Sequence, residues 1–148
     1  SSLVAVETDA TCDVFTLADE MLARGWFVQP QMAYRGMPAT LHLTVSAATE
    51  PGVEEFVRAL EESVAAAVAA GPIEVDPGLA EAAAALDPAT LDDAAFDGLL
   101  ELAGLGGGDG IAVPERMAPV NALLNVAPAP LREALLVAFL DRLQRPTS

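Results

Sequence analysis

The chain contains no lysine: all seven of its basic residues are arginine. No lysine Schiff base to a carbonyl compound can therefore form on it. The lysine of a Walker A phosphate loop is missing as well. A single cysteine, Cys12, excludes an internal disulfide and a cysteine metal cluster. A single histidine, His42, excludes a histidine-based zinc site. Positive charge is scarce, with 7 basic against 22 acidic residues and a net charge of −15. Such a chain repels phosphate backbones, which excludes non-specific nucleic-acid binding. No uncharged apolar run approaches the length of about 18 residues that a membrane-spanning helix needs. The N-terminus lacks the basic region of a secretory signal. With one thiol and no such signal, a cytoplasmic location is the expectation.

What is present suffices for a folded core: 148 residues, of which 53% are hydrophobic. The pattern predicts an α+β fold, with a three-stranded, mainly antiparallel sheet, helices packed on one face, and a helical C-terminal extension. Leu3-Val4-Ala5-Val6 reads as a strand. Val14, Leu17, Ala18, Met21 and Leu22 have helical spacing, with Thr11 or Asp13 as N-cap and Gly25 placed to end the helix. Trp26-Phe27-Val28 opens a second strand, which Pro30 confines to an edge or makes irregular past Val28. Arg35-Gly36-Met37-Pro38 reads as a hairpin turn. In the third strand Leu41, Leu43 and Val45 alternate with His42, Thr44 and Ser46, so one face is apolar and the other polar.

A helix after Glu50-Pro51-Gly52 carries an apolar stripe of Val53, Phe56, Val57, Leu60, Val64 and Val68, and Gly71-Pro72 ends it. Further on, Leu79 to Leu86 reads as a short helix that buries little. Thr90-Leu91-Asp92-Asp93 has capping-box spacing ahead of a helix through Phe96, Leu99, Leu100 and Ala103. The last helix presents Leu131, Leu135, Leu136, Phe139, Leu140 and Leu143, with Pro130 in its first turn. The expected division is a sheet-and-helix unit over 1–71, a Pro/Ala/Gly-rich helical linker over 72–110, and a tail with a helix over 111–148.

Few features carry chemistry. The glycine-rich loop 104–110 has the backbone freedom of a phosphate cradle, but no strand precedes it and Asp109 lies inside it. A flexible connection or helix stop is the better reading. Cys12 lies beside Asp9 and Asp13, whose charge disfavours the thiolate, so it is not expected to be a nucleophile. His42 is the chain's single imidazole and lies on the polar face of its strand. Taken alone, that position suits a solvated surface histidine better than a ligand contact.

Two stretches resemble a known family. Residues 13–26, Asp-Val-Phe-Thr-Leu-Ala-Asp-Glu-Met-Leu-Ala-Arg-Gly-Trp, are similar to the segment that opens the small C-terminal domain of sphingosine-1-phosphate-lyase-like enzymes. These are relatives of the pyridoxal-phosphate-dependent group II decarboxylases, of the aspartate-aminotransferase fold. Leu41-His42-Leu43-Thr44 resembles the last strand of the hairpin that follows there. Met117 to Pro128, and on through Phe139-Leu140-Asp141-Arg142-Leu143, is similar to the family's tail.

The resemblance implies the C-terminal domain of a pyridoxal-phosphate-dependent lyase or decarboxylase acting on an amine or amino acid. Its cofactor lysine would lie upstream, in a large domain of the same polypeptide. It implies a homodimer, no catalytic residue and no cofactor ligand in this chain, and no activity of the chain alone. It also implies that His42 faces the substrate. Where the lyase tail commonly reads Tyr-Gly, with the tyrosine near the substrate phosphate, this chain has Asn121-Ala122. Asn121 is thereby a second substrate-facing candidate, and the missing phenol argues against sphingosine 1-phosphate as substrate. No family role carries over to residues 72–110. A competing reading of the β-α-β-β-α order is a non-enzymatic ferredoxin-like or ACT-like regulatory module that lacks a closing strand. A third is an acidic interaction domain.

Overall fold

In the computed structural model of the chain, the described residues are 2–90, 92–102, 106–107, 110–111 and 114–144. The chain divides into two compact units, Ser1–Glu74 and Val75–Ser148.

The first unit holds strands β1 (Ser2–Val6), β2 (Gln29–Gln31) and β3 (Thr40–Val45) and helices α1 (Val14–Ala23) and α2 (Val53–Ala70). The strands form one antiparallel sheet in the order β1-β3-β2. β1 and β2 therefore run parallel on either side of β3, a split β-α-β arrangement. Asp13 caps α1, its carboxylate accepting the Thr16 N–H at 2.7 Å. Gly25 ends the helix at φ +84°, where its N–H reaches Leu22 O and the Trp26 N–H reaches Met21 O, both at 2.9 Å. That is the Schellman pattern, and glycine takes the left-handed position.

β2 begins at Gln29, three residues beyond Trp26 where the sequence places its start. Pro30 sits inside it, opposite Leu41, which is tolerated because β2 is an edge strand. The hairpin turn at Arg35-Gly36 has φ of +50° and +82° and is closed by reciprocal Tyr34–Met37 bonds of 3.1 and 3.0 Å. Two successive positive φ values match a type I′ turn, the form that fits the twist of paired strands.

Both helices lie on the apolar face of the sheet, but α2 presents a different stripe from the one its valines suggest. Its buried residues are Ala59, Ser63 and Ala67, spaced by four along one face. Val53, Val57, Val64 and Val68 are exposed. The small side chains let α2 close on α1, whose Leu17 and Met21 are fully buried. Above this seam Trp26 meets Phe56 edge to face, with ring centroids 5.3 Å apart. Below it Arg24 bridges Glu20 on α1 at 2.7 Å and Glu62 on α2 at 3.4 Å.

The second unit contains α3 (Pro77–Ala85), α4 (Asp93–Leu102), the short pair β4 (Gly106–Gly107) and β5 (Gly110–Ile111), then α5 (Ala118–Val126) and α6 (Ala129–Gln144). Asp76 caps α3 through the Leu79 N–H, and no residue of this helix is buried. α4 is capped by Asp92, which accepts the Ala95 N–H at 2.8 Å. Thr90 is not its cap, because its hydroxyl donates to Asp87 O at 2.9 Å. The aspartate lies directly before the helix and its acceptor charge suits the helix N-terminus.

Part of the glycine-rich stretch is thus a strand pair rather than an open loop; residues 104–105 and 108–109 lie outside the described residues. Phe96, Ala118, Ala122, Ala127 and Leu131 are buried in this unit. α5 and α6 follow one another with only Ala127 and Pro128 between them. On α6, Leu131 is buried whereas Leu136 and Leu140 are exposed. The side chains of Phe139 and Leu143, expected on its apolar face, lie outside the described ones.

Candidate functional site

Register and alternation together define what His42 faces. Ala5 of β1 and Gln29 of β2 lie directly opposite His42 on its two sides. Residues opposite one another across an antiparallel pair share a sheet face. The face that carries His42 therefore also carries Thr40, Thr44, Gln31 and Leu3. Both helices are on the other side, so this face is the one the helices leave open. His42 occupies its middle, half-buried on the central strand, while Leu3 is 65% exposed. An imidazole there offers a donor and an acceptor from a rigid platform, flanked by the Gln29 amide and the small Ala5 side chain.

Asn121, the second candidate, is half-buried in the first turns of α5, where its backbone N–H donates to Met117 O at 2.9 Å. It belongs to the second unit and His42 to the first.

The opposite face of the sheet holds a feature that sequence reasoning missed. A groove of about 280 Å³ lies between the sheet and α2. Its walls are mainly apolar, with Val28, Leu41 and Leu43 from the sheet side and Leu60, Val64 and Val68 from α2, while Glu7, Thr8, Asp9 and Thr11 border it. Two of the exposed valines of α2, Val64 and Val68, thus line this groove; Val53 and Val57 do not. A spacing of Ala59, Ser63 and Ala67 at four-residue intervals was the available sign that α2 would turn a small-residue seam to α1.

Cys12 borders the groove and is buried. Its thiol pKa is raised, first by burial and then by the charges of Asp9 and Asp13. Asp9 is held ionised by its neighbour: its carboxylate accepts from the Thr11 hydroxyl at 2.6 Å and the Thr11 N–H at 2.9 Å, which lowers its pKa. A cysteine kept protonated in this way is a poor nucleophile. Among the described residues, no three His, Cys, Asp or Glu side chains come together as metal ligands.

A phosphorylated carbonyl cofactor is attached through a lysine Schiff base. The chain has no lysine to attach one. Arg24 is committed to Glu20 and Glu62, and Arg35 lies over the Tyr34 ring, 5.1 Å from its centroid.

Comparison with known proteins bears on the second unit. Searches of curated proteins and of solved structures gave no match. Residues 77–142 match the family model described as pyridoxal-dependent enzyme, C-terminal putative HTH domain. That span takes in α5 and all but the last two residues of α6. The match supports a C-terminal domain of a pyridoxal-dependent enzyme, and it includes most of the alanine- and glycine-rich stretch to which sequence reasoning assigned no family role.

Proposed function

We propose that the chain is the C-terminal domain of a larger pyridoxal-phosphate-dependent lyase or decarboxylase whose large domain precedes it in the same polypeptide. The observation that carries this reading is the family match over residues 77–142. The absence of lysine agrees with a cofactor anchored elsewhere. When bound, pyridoxal phosphate supplies an electron sink for breaking a bond at an amine-bearing carbon.

The part assigned to this chain is to bind and orient. His42, on the open sheet face, contacts the polar end of an amine or amino-acid substrate through a ring nitrogen. The Gln29 amide beside it offers a second donor and acceptor. Asn121 is assigned a substrate contact from the second unit. The complete enzyme acts as a cytoplasmic homodimer, and the chain alone is inactive.

The test is His42→Ala and His42→Gln in the complete enzyme. Loss of a positioning hydrogen bond should lower kcat/KM at least about tenfold, with less loss in the glutamine variant, which retains a donor and an acceptor. Unchanged kcat/KM in both variants overturns the assignment of His42.

A further inference from the structure

The groove between the sheet and α2 has its polar border in one place. Its apolar base includes Leu17 and Leu41, both 1% exposed, and the buried Val28. On the α2 wall Val64 and Val68 remain 37% and 44% exposed, so apolar surface there still faces water. The polar border residues, Glu7, Thr8, Asp9 and Thr11, all come from the link between β1 and α1. No basic residue lines the groove.

Charge and size together select the occupant. Glu7 and Asp9 are exposed carboxylates, and the Thr11 hydroxyl and N–H hold Asp9 ionised. The nearby N-terminus of α1 does not offset them, because the Asp13 carboxylate already caps it. An anion is therefore repelled at this border, whereas a cation is attracted. A dry apolar cavity of about 150 Å³ holds benzene. In the same proportion, a groove of about 280 Å³ holds roughly eleven non-hydrogen atoms.

We propose that the groove binds an amphiphilic cation, a primary amine with a hydrocarbon part of about eight to ten carbons. The hydrocarbon lies between the sheet and the Val64 and Val68 side chains, and the ammonium group sits at the Glu7 and Asp9 carboxylates. A primary amine of this kind is charged at pH 7, since its pKa is close to the lysine value of about 10.4. Leu41 and Leu43 alternate with His42 along β3, so the groove and His42 lie on opposite faces of the sheet. Neither the cofactor nor the substrate contact of His42 is needed for this binding. Burial of the hydrocarbon supplies the affinity, about fourfold for each methylene. The exposed carboxylates supply the selectivity, which salt screens.

The experiment is calorimetric titration of residues 1–148 at pH 7 with n-hexylamine, n-octylamine, octan-1-ol and octanoate. Octylamine should bind once per chain and about fifteenfold more tightly than hexylamine. Octan-1-ol should bind at least threefold, and octanoate at least tenfold, more weakly than octylamine. Sodium chloride should close the gap between octylamine and octan-1-ol and leave the dependence on chain length. Val64→Phe and Val68→Phe each fill the groove and should each weaken octylamine at least tenfold. Both positions are partly exposed and accept the larger ring, and circular dichroism checks the fold. The double variant Glu7→Gln/Asp9→Asn should reduce octylamine to the affinity of octan-1-ol. Asparagine keeps the side-chain oxygen that accepts the Thr11 N–H. Glu54→Gln/Glu55→Gln removes the same charge from the exposed first turn of α2 and should leave the affinity unchanged. Octylamine binding no tighter than octanoate overturns the proposal, as does equal weakening by the two double variants. Binding that both phenylalanine variants leave intact does the same. So does binding by residues 1–148 that the product of the complete reading frame does not show, because an upstream segment would then fill the groove.

Discussion

Ser63 is fully buried in the α1–α2 seam, and its hydroxyl has no hydrogen-bond partner among the described residues. A buried hydroxyl without a partner forfeits its hydration for nothing in return. Ser63→Ala keeps the small volume that the seam requires and removes that penalty. We expect the variant to be more stable by about 1 kcal/mol, read as a higher urea midpoint with an unchanged slope. A lower midpoint would mean that the hydroxyl does bond within the seam. At this scale the sequence was informative about backbone and less so about side chains. Asp13 as a cap, Gly25 as a helix stop and Arg35-Gly36 as a turn were all legible, because each meets a local geometric demand that few residue types satisfy. The cap of α4 was misread because Thr90 and Asp92 both have suitable oxygens, and the sequence does not say which one the chain turns towards the helix. The position of His42 on the polar sheet face, opposite the face that the helices cover, was legible from alternation.

Between elements, the informative misreading is α2. Its valines dominate any measure of hydrophobicity, so periodicity places the buried face on them. Close contact between two helices instead favours small residues at the crossing, and α1 selects Ala59, Ser63 and Ala67. Gly52, where a 3-10 turn leads into α2, belongs to the same packing. A Cβ added there would stand 2.9 Å from Cη2 of Trp26, which Phe56 holds edge-on. The backbone of Gly52 is at φ −98°, so the obstacle is steric and not conformational. Gly52→Ala should therefore cost about 1–3 kcal/mol by overpacking and should shift the fluorescence of Trp26. If Phe56→Ala is added, the ring can swing away and the cost of Gly52→Ala should shrink. An equal cost in both backgrounds would place the clash elsewhere. β2 shows the same limit: Trp26-Phe27-Val28 has the composition of a strand, but the Schellman ending of α1 uses the Trp26 N–H, and pairing starts only at Gln29.

For the whole molecule, composition was the most durable guide. The α+β class and the helical C-terminal part were legible because strand alternation and helical spacing each recur over several turns or pairs. The tail carried a resemblance to pyridoxal-dependent enzymes, and the family model of their C-terminal putative HTH domain matches residues 77–142. The finer resemblance, to lyases and group II decarboxylases, rests on short segments such as Arg24-Gly25-Trp26 and Leu41-His42-Leu43. The groove was not legible, since it exists only because α2 packs on α1 and leaves the β1 side of the sheet open. Missing lysine and a pyridoxal-dependent relation are reconciled if the cofactor is held by an upstream domain. The most direct measurement is the cofactor content of the product of the complete reading frame that encodes residues 1–148. We expect pyridoxal phosphate on each polypeptide, fixed by borohydride to a lysine upstream of Ser1, and none on the isolated chain. A complete, folded product that takes up no pyridoxal phosphate would contradict this reading.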